Sequence, residues 1–159
     1  MKLICFKTVK LIEAIYAHAR TQPNVADVTV EDPSEDFRPM RDLADILAIR
    51  SESFFSAPSE CLAPETVEAI RGRLKICKHQ ILKCWFVFEF RHAQRMVAGG
   101  DADAMRRFRM RVKAHIAARY SDWLQDSETA EEKKKTIEEI FREHERDFTE
   151  LLNALDRST

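Results

Sequence analysis

A repeat of apolar side chains between residues 64 and 98 is the feature that most limits how this chain can fold. Its members are alternately three and four residues apart, which keeps them on one face of a helix that packs against other helices. Pro64 occupies a favoured first-turn position, and Gly99-Gly100 follows where glycine often ends a helix. The pattern predicts one continuous helix over 64–98. Its apolar members are Val67, Ile70, Leu74, Cys77, Ile81, Cys84 and Phe88.

Two further helices are predicted, over 102–126 and 129–156. Asp101 or Asp103 caps the first, and Thr129 with Glu132 forms a capping box for the second. Because the connections are short, we expect an antiparallel bundle of three long helices. The expected shared core consists of Leu74, Ile81, Phe88, Phe108, Val112, Ile116, Phe141, Phe148 and Leu151.

Residues 1–60 are expected to form an elaboration on the 64–156 bundle, within one domain of residues 1–159. Apolar residues recur at helical spacing from Thr8 to Ala19, and a second helix is predicted over 40–55 with Asp42, Asp45 and Arg50 turned outward. The alternation in 25–31 is typical of a strand, while 1–6 and 82–90 fit either a strand or a helix. The predicted fold class is mainly α, with an N-terminal part that is helical or α/β.

The cysteines and the apolar runs bear on the compartment. Four cysteines are too few for a disulfide scaffold in 159 residues. No secretory signal is predicted, and the longest apolar run, 81–90, is about half a bilayer span. We therefore expect a reduced, cytoplasmic and soluble protein with no membrane contact.

The run 81–90 is apolar on every side of its predicted helix, which is typical of a helix that is fully covered or that binds a partner. One interpretation is that residues 1–55 cover it. The other is that Trp85, Phe86 and Phe90 form an exposed surface for another protein chain or a second copy of this one.

Basic residues dominate the middle of the chain. Residues 61–119 hold 13 Lys and Arg against 5 Asp and Glu. Arg106, Arg109 and Lys113 share one flank of the helix over 102–126, whereas Arg107 and Arg111 fall on the other. The favoured interpretation is that these cations are solvated or paired within the chain. The alternative is that the segment 91–119 binds the phosphates of RNA or DNA.

The residues that could carry catalysis are sparse. Glu89 and His92 make one Glu-x-x-His pair without a second, and the cysteines lack the paired spacing of a zinc site. Arg109 precedes His115 by six residues, a spacing similar to that of HEPN-type helical ribonucleases. The polar residue that commonly follows their arginine is Met110 here, so no family is assigned. We expect no catalytic, metal or cofactor site, and predict a non-enzymatic module for protein–protein interaction: an adaptor, an inhibitor or a small subunit of a larger assembly.

Overall fold

The computed structural model of the chain describes residues 2–50, 62–122 and 129–158. Within these ranges the chain is mainly helical and contains no strand. The β-type pairing in these ranges is an isolated parallel bridge between Val28 and Ile76. The predicted mainly α class is confirmed. The helices are α1 (Lys2–Thr21), α2 (Phe37–Ile49), α3 (Pro64–Leu74), α4 (Lys78–Ala98), α5 (Ala104–Arg119) and α6 (Ala130–Arg157).

The helix predicted over 64–98 is interrupted at residues 75–77. Lys75 adopts a left-handed conformation with φ of 61° and ends α3, and its carbonyl accepts a hydrogen bond from the N–H of Val28 at 2.8 Å. The next residue, Ile76, lies off the apolar repeat and is fully buried at the bridge to Val28. The prediction of one continuous helix is therefore wrong, and the antiparallel three-helix bundle is not confirmed.

The observed ends of the helices agree best with the predicted ones where the local sequence signals are strong. Thr129 and Glu132 form the predicted capping box, with each backbone N–H donating to the other side chain at 3.0 and 3.2 Å. Gly100, with φ of 105°, follows α4 as expected. In contrast, α5 ends at Arg119, short of the predicted residue 126; residues 123–126 lie outside the described ranges.

The alternatives for 1–6 and 82–90 are settled in favour of a helix over the described residues, whereas the strand predicted over 25–31 is reduced to one bridge residue. Residues 2–6 belong to α1 and residues 82–90 to α4, while 25–31 contains the single bridge at Val28. The helix predicted over 40–55 begins earlier, at Phe37, and ends at Ile49; residues 51–55 lie outside the described ranges.

The chain divides into two compact units. Unit 1 comprises Met1–Phe88 and Asn153–Thr159, and unit 2 comprises Glu89–Leu152. In unit 1, α1 contacts both α2 and α3. Its buried apolar residues include Val9, Ile12 and Ala19 on α1, and Leu43, Ile46 and Ile49 on α2.

Unit 2 is built around a cluster of phenylalanines. The ring of Phe90 lies 5.4 Å from Phe108 and 5.9 Å from Phe148, and the rings of Phe108 and Phe148 are 6.2 Å apart, measured between centroids. The prediction of one shared core holds only in part. Phe108, Val112, Ile116, Phe141, Phe148 and Leu151 are buried in this unit, but Ile81 belongs to unit 1, and Leu74 and Phe88 are half-buried.

Candidate functional site

Polar side chains from three helices meet in the interior of unit 1. We call them the buried polar cluster: Tyr16 on α1, Arg41, Asp42 and Asp45 on α2, and Gln80 and Lys83 on α4. The expectation that Asp42 and Asp45 point outward is wrong. Residues 41–46 of α2 are all buried, so this turn of the helix has no side facing solvent.

Asp45 is the most deeply buried member of the cluster, with 0% of its surface exposed. The Tyr16 hydroxyl donates a hydrogen bond to Asp45 Oδ1 at 2.7 Å. The other oxygen, Oδ2, lies 3.6 Å from Arg41 Nε and has no hydrogen-bond partner among the described residues. An ion pair at that distance is too long to be a hydrogen bond, and it compensates only partly for the loss of water.

Burial raises the pKa of Asp45 to about 7, against the lowering effects of the Tyr16 hydrogen bond and of the Arg41 charge. The loss of solvent outweighs these two effects because water stabilises the ionised carboxylate more than the protonated one. The pKa of Tyr16 is also raised well above its ordinary value, by burial and by the neighbouring Asp45 charge.

The remaining members of the cluster tie α2 to α4 and to the bridge. Asp42 accepts a hydrogen bond from Gln80 Nε2 at 3.2 Å and forms an ion pair with Lys83 Nζ at 2.6 Å. Arg41 Nη2 donates to the carbonyl of Val28 at 3.0 Å. The cluster is therefore suited to hold helices together. Asp45 is too deeply buried to touch a substrate from solvent.

A groove of about 510 Å³ runs along the surface between α1 and α2. Small side chains make up much of its lining, and Tyr16 forms part of it. The groove is lined by Lys10, Glu13, Ala14, Tyr16, Ala17, Arg20, Ala44, Leu47 and Ala48. The groove leaves open space beside the contact between α1 and α2.

The structure brings two of the five proposed phosphate-binding residues together, at a carboxylate of unit 2. Arg109 Nη2 lies 3.2 Å from Glu138 Oε1, and Lys113 forms an ion pair with the same residue. Both cations also lie over the ring of Phe141, at 5.2 and 5.5 Å from its centroid. A third cation, Arg142, reaches Glu138 at 3.3 Å.

The other three candidates are dispersed. Arg107 forms an ion pair with Asp101, and Arg111 forms one with the buried Glu89. Arg106 is exposed. Four of the five cations therefore pair with carboxylates of their own chain, as the interpretation of an intramolecularly paired face predicted.

The aromatic surface predicted around α4 is largely interior. Trp85 is 3% exposed and Phe90 is 4% exposed, and Phe90 packs on Phe108 and Phe148. The expectation of exposed interface anchors is wrong for both, because the chain itself covers them. Phe86 is half-buried.

The described residues also bear on metal binding and on membrane insertion. Over the described positions, no group of three or more His, Cys, Asp or Glu is arranged to hold a metal ion. None of the helices in those ranges is long and apolar enough to cross a membrane.

The curated proteins that resemble this chain are enzymes, named as catalytic subunits of type B histone acetyltransferases. The one from Cryptococcus neoformans var. neoformans serotype D is 26% identical over an alignment of 152 residues that covers 90% of this chain and 35% of the relative. The one from Mycosarcoma maydis is 28% identical over an alignment of 138 residues that covers 82% of this chain and 30% of the relative. The one from Pyricularia oryzae is 35% identical over an alignment of 80 residues that covers 48% of this chain and 17% of the relative.

The chain thus spans about a third of the length of these relatives, or less. No protein-family model matches the chain, and no solved structure matches it. The relatives overturn the prediction of a non-enzymatic interaction module, and that of its nucleic-acid-binding alternative, because each relative is named as the catalytic subunit of an enzyme.

Sequence reasoning missed the buried polar cluster, although two signals for it were present. Arg41 and Asp45 are four residues apart, the spacing of an ion pair along a helix. Tyr16 lies on the apolar face of α1, where its hydroxyl needs a buried partner. Neither signal shows which helices meet, so neither could place Gln80 and Lys83 beside them.

Proposed function

We propose that this chain acts in histone acetylation, as a helical region equivalent to part of a type B histone acetyltransferase catalytic subunit. The observation that carries the proposal is the alignment of 90% of the chain with the Cryptococcus relative. Similarity spread over nearly the whole chain is expected when a folded region, and not a short motif, is shared. The predicted cytoplasmic, reducing compartment is part of this proposal.

Within such an enzyme we expect these helices to support acetyl transfer rather than to contain the reacting groups. Transfer of an acetyl group to an amine needs a base within reach of the substrate and donors at the developing oxyanion. The groups of unit 1 with strongly raised pKa values, Tyr16, Asp45 and Cys84, are all buried. Their burial supports a structural role.

The charge of α6 suits a protein that handles histones, which are rich in lysine and arginine. The helix holds nine Asp and Glu against six Lys and Arg, and the exposed carboxylates Glu139, Glu143 and Glu150 alternate with the exposed Arg142 and Arg146. A helix with this net negative charge attracts a basic polypeptide through long-range electrostatics and increases the rate of encounter. This feature supports histones as the class of partner.

A chimeric enzyme tests the proposal. The stretch of the Cryptococcus relative that aligns with this chain, 35% of the relative, would be replaced by the chain itself. Transfer of a labelled acetyl group to histones would then be compared among the intact relative, the relative lacking the stretch, and the chimera. We expect the deletion to lose most of the activity and the chimera to regain most of it.

Two substitutions in the chimera provide matched controls on α5. Phe108→Ala disrupts the core of unit 2 and should lower the activity toward that of the deletion, whereas Met110→Ala alters an exposed side chain and should not. A folded chimera no more active than the deletion would overturn the proposal. So would a deletion that retains full activity, because the aligned stretch would then be dispensable for acetyl transfer.

A further inference from the structure

The contact between α1 and α2 combines an apolar stripe with one buried polar link. On α1, Val9, Ile12 and Ala19 are buried on the same side as Tyr16. The Tyr16 hydroxyl connects this stripe to Asp45 on α2 at 2.7 Å. A groove lined largely by small residues runs beside this contact. The state of the polar link therefore affects how firmly α1 docks on α2.

The charged and titratable groups around Asp45 come from each helix that surrounds it. Tyr16 faces it from α1, Arg41 and Asp42 from α2, and Lys83 and Cys84 from α4. Lys83 is already paired with Asp42, and Arg41 donates to the carbonyl of Val28. Arg41 Nε approaches Asp45 Oδ2 only to 3.6 Å, so the ionised Asp45 has an ion pair with Arg41 but no cation within hydrogen-bond distance among the described residues.

We propose that Asp45 is a proton-controlled latch for α1, which stays docked on α2 while the Asp45 carboxyl is protonated and opens more often once it is ionised. In the docked state, an ionised Asp45 keeps an oxygen that lacks a hydrogen-bond partner among the described residues and has no exposed surface. Movement of α1 admits water to that oxygen. Ionisation thus favours the open state because the charge is better solvated there.

Hydrogen exchange of the α1 backbone amides measures the opening directly. Exchange would be followed by mass spectrometry on the whole chain at pH 6 and pH 8, with the intrinsic pH dependence of exchange removed. If Asp45 becomes fully solvated on opening, the linkage predicts up to about a tenfold increase in the opening equilibrium of α1 between these pH values. Amides of α6 residues in unit 2 serve as the internal reference and should not share the change.

Two variants separate the latch from a general loosening. Asp45→Asn keeps an acceptor for the Tyr16 hydroxyl but cannot ionise, so its α1 protection should not change with pH. Tyr16→Phe leaves Asp45 ionisable, so the pH dependence should persist while α1 opens more often at both pH values. If Asp45→Asn shows the same pH dependence as the unmodified chain, the proposal is wrong.

A measurement on the unmodified chain does not depend on whether the variants fold. The carboxyl carbon of Asp45, followed by NMR, should titrate near pH 7, together with the increase in α1 exchange. A midpoint near pH 4, or a midpoint near pH 7 with no change in α1 protection, would overturn the latch.

Discussion

Phe108→Ala is the most direct test of how unit 2 is held together. Phe108 is 0% exposed, and its ring contacts those of Phe90 and Phe148 with centroids 5.4 and 6.2 Å away. Replacement of a buried phenylalanine by alanine costs about 3–5 kcal/mol, through lost apolar burial and the cavity that remains. Two aromatic contacts are lost at once, so we expect a value in the upper half of that range.

Urea unfolding monitored by circular dichroism at 222 nm provides the measurement. With a denaturant dependence of about 2 kcal/mol per molar urea, a loss of about 4 kcal/mol shifts the unfolding midpoint of this unit down by about 2 M. Met110→Ala is the matched control, because Met110 lies on the same helix and is 63% exposed. Its effect should stay within about 0.5 kcal/mol.

The reasoning would be refuted if Phe108→Ala cost no more than Met110→Ala while both variants kept the far-ultraviolet spectrum of the parent. Phe108 would then not be part of a packed core. If Phe108→Ala is too unstable to give a native baseline, Phe108→Leu retains part of the volume and should show a smaller loss in the same direction.

Three further predictions concern particular residues. Between its ordinary pKa of 3.8 and its folded value of about 7, Asp45 keeps a proton in the folded chain that the unfolded chain has released. The free energy of unfolding should therefore fall by about 4 kcal/mol as the pH rises from about 4 to 7.5, and Asp45→Asn should remove this slope in urea titrations at each pH. Lys75→Gly should increase the free energy of unfolding by about 0.5–1 kcal/mol and so raise the thermal midpoint, because glycine adopts a φ of 61° without strain. A lower midpoint would contradict this prediction. Thr129→Ala removes a capping hydrogen bond of α6 and should cost about 1 kcal/mol in the same melting experiment, whereas the exposed Thr149→Ala, within the helix, should cost less.

The sequence predicted the elements whose determinants are local. The capping box at Thr129 and an uninterrupted apolar stripe define α6, and both are contained in the segment itself. The glycine pair ends α4 for an equally local reason, since Gly100 adopts a positive φ. Such features depend on neighbours within a few residues, which is the distance over which pattern reasoning works.

The break between α3 and α4 depends on a distant part of the chain. Neither glycine nor proline occurs at residues 75–77, and the apolar repeat continues through Cys77. What favours the break is the burial of Ile76 against the bridge to Val28, together with the hydrogen bond from Val28 to Lys75. The same kind of contact hides Asp42 and Asp45, which look like solvent-facing residues until α1 and α4 are placed around α2.

The class of protein could not be predicted from the sequence pattern, for a different reason. The similarity to the acetyltransferase subunits is only 26–35% identity, over 48–90% of this chain. In unit 1, the groups with the most perturbed pKa values are buried and hold helices together. Residue chemistry alone therefore favoured a non-enzymatic module, and only comparison with whole proteins corrected it.

The bridge at Val28 also has a kinetic consequence. Val28 and Ile76 lie about 50 positions apart, so their pairing requires the closure of a long loop, whereas α3 and α4 can each form from neighbouring residues. The left-handed turn at Lys75 should then be acquired after the rate-limiting barrier of folding. In a chevron analysis, Lys75→Gly would slow unfolding and leave the refolding rate almost unchanged. The residues that interrupt the helix would thus determine how long the native state lasts, with little influence on how fast it forms.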